Sequence, residues 1–370
     1  MPAFTPLTTA PSGSPQHSAS FSVLRDLFKE HGLAATEFPI IQGLRAVAAL
    51  LVCLHHLGSD RNVFPSIHFW IRNGGQIGVE VFFVISGFIV PYSMFRAKYR
   101  LGNFPRFLLK RIVRIDPPYL TVIALTLALN FASSLSPLFT GPRPTVDPQQ
   151  LLLHLGYLVA FTSESWLSPV FWTLAIEFQF YLLIGVVFSA LFSGKFVVRC
   201  AALLLMVAAA AYSSNGAFVG VHLPLFLAGI FLCQIKANRL IRHERMLYPI
   251  LIVLPLLLKI GWPATLAALF TFLLIAFVRT CPAILCRLGD FSYSLYLIHW
   301  PIGTRWMNLG ARFAQGELQL DLLILSGLAI SLASAWLLYR SVEVPSKNLA
   351  RLIKYRMPHL ARTQGLRSRS

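Results

Sequence analysis

Charge is scarce in this 370-residue chain, with only 12% of its residues Asp, Glu, Lys or Arg, about half the share of roughly 25% found in soluble domains. That scarcity excludes an ordinary soluble fold, whose surface needs a coat of ionised side chains. Acidic residues are the rarest, 14 against 32 Lys and Arg, and residues 115–142 contain no ionised side chain type except Asp116. Cysteine is sparse too. The five present (Cys53, Cys200, Cys233, Cys281, Cys286) are odd in number, lie mostly among apolar neighbours and lack metal-ligand spacing, which argues against a disulfide framework or a zinc site. No basic segment precedes an apolar run at the N-terminus, so a cleaved secretory signal is not expected and the first hydrophobic helix should stay as an anchor. No internal repeat is visible.

What fills the chain is apolar, 56% of all residues. A hydrocarbon core of about 30 Å takes roughly 20 apolar residues per helix. Apolar windows near 42–58, 77–95, 117–136, 170–192, 197–214, 219–235, 246–260, 262–279, 290–308 and 320–340 predict an all-α polytopic bundle of about ten transmembrane helices. The segment 151–162 is too short to cross and reads as an interfacial or re-entrant piece of the connection 137–169. Residues 1–20, rich in Ser, Thr and Pro, are expected to be disordered, and FSVLRDLFKEHG (21–32) to lie on the membrane surface. Three parts follow: a tail over 1–38, a membrane domain over 39–345 and a basic tail over 346–370.

The net charge of +18 is explained first by retention of loops in the cytoplasm rather than by nucleic acid. Arg96, Lys98, Arg100, Arg106, Lys110, Arg111 and Arg114 fall between the second and third windows, and Lys236, Arg239, Arg242 and Arg245 between the sixth and seventh. Arg351 to Arg369 follow the last, and Lys195 to Arg199 and Arg279 to Arg287 fall on the same side. The opposite side holds Asp60, Asp147, Glu164, Glu317 and Asp321. The positive-inside rule then puts both termini, residues 100–110 and residues 238–244 in the cytoplasm, and 140–150 outside.

Ionisable groups inside spans need a partner or a purpose. Four stand out: His56, Glu80, Glu177 and His299. His56 lies eleven residues beyond Arg45, about 16 Å along the helix and on the same face, whereas His55 is rotated by about 100°. Counted from the expected membrane faces, all four reach one outer-middle layer, and a histidine beside a carboxylate is the usual build of a general base, here His56 with Glu80. The plainer alternative is polar glue between helices. A second cluster, Arg45, Lys110, Arg111 and Arg114, precedes Asp116-Pro117. Arg111 and Arg114 share a face, Asp116 suits an N-cap and Pro117 a first turn, so a helix start beside these arginines predicts an anion site. For Arg96 to Arg106, retention alone suffices.

The segments IQGLRAVAALLVCLHH (41–56), GVEVFFVISGF (78–88), KRIVRIDPPY (110–119), FWTLAIEFQFY (171–181) and LGDFSYSLYLIHWP (288–301) resemble, in order, the blocks of the acyltransferase-3 family of bacterial membrane O-acyltransferases. Arg45 and His56 match its Arg-x10-His pair, Glu80 the acidic residue before FFVISGF, and Arg111 and Arg114 its Arg-x-x-Arg motif. Trp172, Thr173 and Glu177 match the WTL-x-x-E block, Tyr293 and His299 the late block, and Glu343 and Pro345 the closing Glu-x-Pro. Gln42 and Ala46 depart from frequent acidic and Gly residues, without touching a proposed reacting group.

The resemblance implies acyl transfer, of acetyl in the first instance, from cytoplasmic acyl-CoA as co-substrate to a hydroxyl of a glycan, glycolipid or glycoside at a bacterial cytoplasmic membrane. It assigns His56 and Glu80 to catalysis, Arg45, Arg111 and Arg114 to CoA, and Trp172, Thr173, Glu177, Tyr293 and His299 to support. It implies no resident cofactor or metal, and acyl-CoA, the acceptor and the bilayer as partners. With about 30 residues after the last span, a stand-alone form without a fused SGNH hydrolase-like domain is expected. A transporter or flippase for an anionic or glycan substrate is the competing class, since it too would show basic entrances and buried carboxylates.

Overall fold

In the computed structural model the chain is described over residues 38–58, 68–137 and 145–355. The expectations for the N-terminal tail and its amphipathic segment, for Asp60, for 138–144 and for the basic tail beyond 355 lie outside these residues. The described residues are helical, with no strand among them. The order is α1 (Pro39–Gly58), α2 (His68–Arg96), α3 (Phe104–Ser134), α4 (Pro148–Leu155), α5 (Phe171–Leu191), α6 (Phe196–Tyr212), α7 (Val219–Lys236), α8 (Arg242–Pro255), α9 (Trp262–Phe277), α10 (Ala283–Asp290), α11 (Ser292–His299), α12 (Arg305–Gly310), α13 (Glu317–Leu338) and α14 (Val344–Leu352). Among the described residues six helices, at 39–58, 74–96, 101–134, 171–191, 219–236 and 317–352, are long and apolar enough to cross a membrane, and α6 and α9 are shorter apolar helices. The other two apolar windows are interrupted by π-helical turns, Leu256–Ile260 after α8 and Trp300–Thr304 between α11 and α12.

Close contacts give the helix directions. Gly75 faces His55 while Gly78 faces Ala48 and Val52, so α1 and α2 are antiparallel. Gly87 lies on the Phe226 backbone and Gly229 on that of Val84 and Phe88, which locks α2 and α7 side by side, and contacts of Phe83 with His222 and of Phe95 with Arg239 make them parallel. Only a residue without a Cβ allows two helix backbones to approach so closely. Phe104 against Gly185 and Tyr119 against Phe171 make α3 and α5 antiparallel. The Val219 N–H donates to Gln179 Oε1 and Gln234 Nε2 donates to the Leu191 carbonyl, which makes α5 and α7 parallel. α1, α2, α3 and α5 therefore reverse direction in turn, and α7 returns to the direction of α5 with the shorter α6 between them.

Two differences from the sequence reading concern charged residues. Asp116 and Pro117 do not start a helix: α3 begins at Phe104, with Pro105 in its first turn, and runs through Pro117 and Pro118. The two prolines lack N–H groups and so free the carbonyls of Val113 and Arg114, but neighbouring helices hold the segment together. Tyr293 donates to the Ile115 carbonyl at 2.9 Å, and Asp116 accepts from Tyr157 at 2.9 Å. Arg199, read as a loop cation, is buried, and its guanidinium forks onto Glu244 at 2.9 and 2.6 Å. Glu244 also accepts from Tyr248 and from the Ile241 backbone N–H, so the pair joins α6 to the start of α8 with its lone pairs satisfied.

The connection before α5 is tied down locally. Asp147 caps α4 through the Gln149 N–H at 2.9 Å, with Pro148 in the first turn. His154, fully buried, has Nδ1 2.8 Å from the Gln150 carbonyl and accepts at Nε2 from the Leu167 N–H at 3.0 Å. Burial holds its imidazole below the ordinary histidine pKa, hence neutral. At eight residues, α4 is far too short to cross a bilayer.

Two apolar clusters form the core, one around α2, α5 and α7, the other around α1, α11 and α13, with Val79, Phe82, Ile115 and Phe178 packed against both. Leucine, valine and phenylalanine side chains stand exposed on the outer faces of α6, α8 and α9, among them Leu205, Leu254 and Phe270. A surface of that kind is suited to hydrocarbon rather than water.

Candidate active site

Between the two clusters lies a cavity of about 180 Å³. Its walls bring together Arg45 from α1, Ser86 and Ser93 from α2, Arg111 and Arg114 from α3, Thr173, Glu177 and Tyr181 from α5, Tyr293 and Tyr296 from α11, and Glu343. Arg111 and Arg114 are the eighth and eleventh residues of α3, about 10–15 Å from its start. They therefore sit well inside the bundle rather than at its edge. Their depth explains why Glu177, expected near the opposite face, meets them instead of His56.

The polar contacts are specific. Arg111 donates to Ser93 Oγ at 3.0 Å, and its guanidinium lies 5.4 and 5.5 Å from the ring centroids of Phe107 and Tyr181. Its buried Nε has no partner among the described residues. Glu177 accepts from Tyr181 at 2.5 Å and Ser86 at 2.9 Å. Glu343 lies in a third π turn, Tyr339–Glu343, where it accepts from Ser294 at 2.6 Å and pairs with Lys347 at 2.6 Å. No carboxylate forms an ion pair with Arg45, Arg111 or Arg114 among the described residues. Cations thus outnumber anions around a sheltered space, and an anionic ligand is the natural complement.

From this cavity one face of α11 leads to a histidine pair. Tyr293, Tyr296 and His299 follow at intervals of three, so they stack along the helix over about 9 Å. The Tyr296 hydroxyl is 2.6 Å from Thr173 Oγ1, and both lie near the Val170 carbonyl, at 3.3 and 2.9 Å. The Tyr296 ring meets His299 edge-on at 6.1 Å. His299 is fully buried, with Nδ1 2.9 Å from the Leu295 carbonyl. That acceptor assigns the hydrogen to Nδ1 and leaves Nε2 a bare lone pair, unpartnered among the described residues. His56, half-buried, stacks on His299 with ring centroids 5.3 Å apart and meets Trp300 at 5.0 Å. The π turn that begins at Trp300 lets the backbone at Gly303 touch Leu57 and Ser331, drawing α11 and α12 onto α1.

The expected dyad of His56 and Glu80 is not formed. Among the described residues the two share no hydrogen bond or ion pair. Glu80 instead takes a hydrogen bond from Gln76, and its Oε2 is buried without a partner. The reason is register. α2 starts at His68 rather than 77, and Gly78 faces Ala48 and Val52, so Glu80 stands level with Ala48 to Leu50, about 9–12 Å along the axis from His56. His55 leans onto Gly75, with Nδ1 3.3 Å from the Ile71 carbonyl, and its ring meets His56 edge-on at 5.0 Å without stacking on His299. Trp172 points to α7, its ring 5.6 Å from His222, and does not line the cavity.

Several participants went unnamed in the sequence reading: Tyr181, Ser86, Ser93, Tyr296 and Lys347. The spacing of Glu177 and Tyr181, and of Glu343 and Lys347, one helical turn each, was the available signal. Among the described residues no group of three or more His, Cys, Asp or Glu stands where a metal could be held.

Comparison with known proteins adds a direct finding. The acyltransferase domain family matches residues 38–340. The O-acetyltransferase OatA of Staphylococcus aureus (strain NCTC 8325 / PS 47) is 28% identical over 160 residues, 41% of this chain and 25% of the relative. An O-acetyl transferase of Shigella phage Sf6 is 29% identical over 168 residues, 41% of this chain and 46% of the relative. The putative peptidoglycan O-acetyltransferase YrhL of Bacillus subtilis (strain 168) is 32% identical over 157 residues, 39% of this chain and 23% of the relative. The alignments thus span between about a quarter and a half of these relatives' lengths. No solved structure matches.

Proposed function

The chain belongs to the acyltransferase-3 family, and on that premise we propose that it is a membrane-embedded O-acyltransferase moving acetyl, or another short acyl group, from acyl-CoA to a hydroxyl of a glycan, glycolipid or glycoside. One observation carries the reading: three guanidiniums line a single sheltered cavity, and neither carboxylate there forms an ion pair with them. The phosphates of CoA are the complement of Arg45, Arg111 and Arg114. At about 180 Å³ the cavity is below the roughly 300–1,000 Å³ that enclose a drug-sized ligand, so it takes part of the donor and the remainder extends beyond it.

The face formed by Tyr293, Tyr296 and His299 guides the thioester towards His56. His56, the more accessible of the two stacked histidines, accepts the proton of the acceptor hydroxyl as that oxygen attacks the thioester carbonyl. The C–S bond breaks and the proton passes to the leaving thiolate. Transfer through an acylated His56 uses the same residues. Glu80 is not placed at the reacting atoms; its place is within α2. A glycan acceptor is in keeping with the peptidoglycan O-acetyltransferase name of the Bacillus relative.

Purified protein in lipid nanodiscs, given acetyl-CoA with peptidoglycan fragments, lipid-linked sugars or soluble glycosides, is expected to yield a product heavier by one acetyl group. No acetylated product together with no CoA binding would overturn the assignment and favour a transporter.

The reading includes ten crossings of the bacterial cytoplasmic membrane with both termini inside. It is supported by the reversal of direction from α1 through α2 and α3 to α5 and by Arg96, Lys98, Arg100, Arg239 and Arg242 exposed at one end of the bundle. With the native cysteines replaced, a membrane-impermeant thiol probe on intact cells should label Val146→Cys and spare Arg242→Cys. The opposite pattern would reverse the orientation and with it the side that meets CoA.

A further inference from the structure

The capacity of the cavity for an anion depends on where its own carboxylates are engaged. Opposite charges this close pair with each other unless other groups satisfy them first. Glu177 is satisfied by two hydroxyls. Glu343, only 1% exposed, is satisfied by Ser294 and by Lys347. Lys347 is itself fixed: its Nζ donates to the Asp290 carbonyl at 3.0 Å and lies 4.8 Å from the Tyr339 ring centroid. It follows Glu343 by four residues, just past the π turn, so the backbone keeps the two in register. Arg45 is within electrostatic reach of Glu343, and Lys347 within reach of both Arg45 and Arg114.

We propose that Lys347 is a positioning residue for the anionic donor: by holding Glu343 it leaves Arg45 and Arg114 free to meet the donor's phosphates. The inference rests on the donor-binding reading above. Without Lys347, Glu343 becomes a buried charge lacking its cation, and Arg45 is drawn to it. A guanidinium pinned to Glu343 is withdrawn from the ligand.

The test is acetyl-CoA binding to the full chain in nanodiscs, by calorimetry, with thermal unfolding as the control for folding. Lys347→Met should weaken binding by roughly ten- to hundredfold, the worth of one charge-assisted contact. Lys347→Arg should bind within a few-fold of the native chain. The double variant Glu343→Gln/Lys347→Met should regain most of the loss, because the stray carboxylate is gone. Native-like binding by Lys347→Met, or a folded double variant that stays as weak as the single, would overturn the role of Lys347 while the donor reading stood. Absence of binding by the native chain would instead remove the donor reading, and this inference with it.

Discussion

His56→Ala is expected to abolish acetyl transfer while acetyl-CoA still binds, a loss of about 10²–10⁴-fold if the imidazole acts as general base. His55→Ala should keep substantial activity, since that ring packs against Gly75 and approaches the Ile71 carbonyl instead of His299. The contrast is sharp because two adjacent residues of one type differ only by their angle around α1. Glu80→Gln, which keeps the size and the contact with Gln76, is expected to retain most of the rate. A collapse of Glu80→Gln to the level of His56→Ala would restore the carboxylate to the reacting atoms. Retained CoA binding must accompany each variant, since an altered buried group can cost several kcal/mol of stability, typically about 3–5 when a pair is broken. Normal turnover by folded His56→Ala would refute the proposed base, and loss confined to His55→Ala would show the helical phase to be wrong.

Arg111→Ala and Arg114→Ala are expected to raise the acetyl-CoA KM and Kd about ten- to hundredfold, with little change in acceptor KM, since a charge-assisted phosphate contact is worth roughly 1.5–3 kcal/mol. Arg111 should be the more damaging, because its guanidinium also packs on Phe107 and Tyr181. Arg96→Ala supplies the comparison. Its guanidinium lies 5.9 Å from the Tyr92 ring centroid at the end of α2, where a cation complements the helix dipole. It lies outside the cavity walls, so donor binding should scarcely change. Equal losses at all three positions would argue for folding damage or diffuse surface charge and against a defined phosphate site.

Much of the fold was legible without coordinates. A chain in lipid must satisfy its backbone within each helix, so apolar length alone marks the helices, and the windows at 170–192 and 219–235 correspond to Phe171–Leu191 and Val219–Lys236 within two residues. The resemblance blocks likewise named Arg45, Arg111, Arg114, Thr173, Glu177 and Tyr293, all of which line one cavity. The failures have a common cause. Helix starts were read from local signals, but Pro117 and Pro118 lie within α3 because Tyr293 and the surrounding helices stabilise that turn. α2 begins well before its apolar window.

Local chemistry along the chain therefore determined by itself which segments are helical, which face of α1 carries Arg45 and His56, and which ionisable residues are too costly to bury without a purpose. The partners of those residues were decided only by tertiary structure. The close approach at Gly75 and Gly78 sets the register of α1 on α2 and separates Glu80 from His56, while the π turn at Trp300–Thr304 brings His299 onto His56. Pairing across helices depends on the relative height and rotation of whole elements, which side-chain interdigitation fixes to within an ångström or so and which no spacing within a single helix encodes.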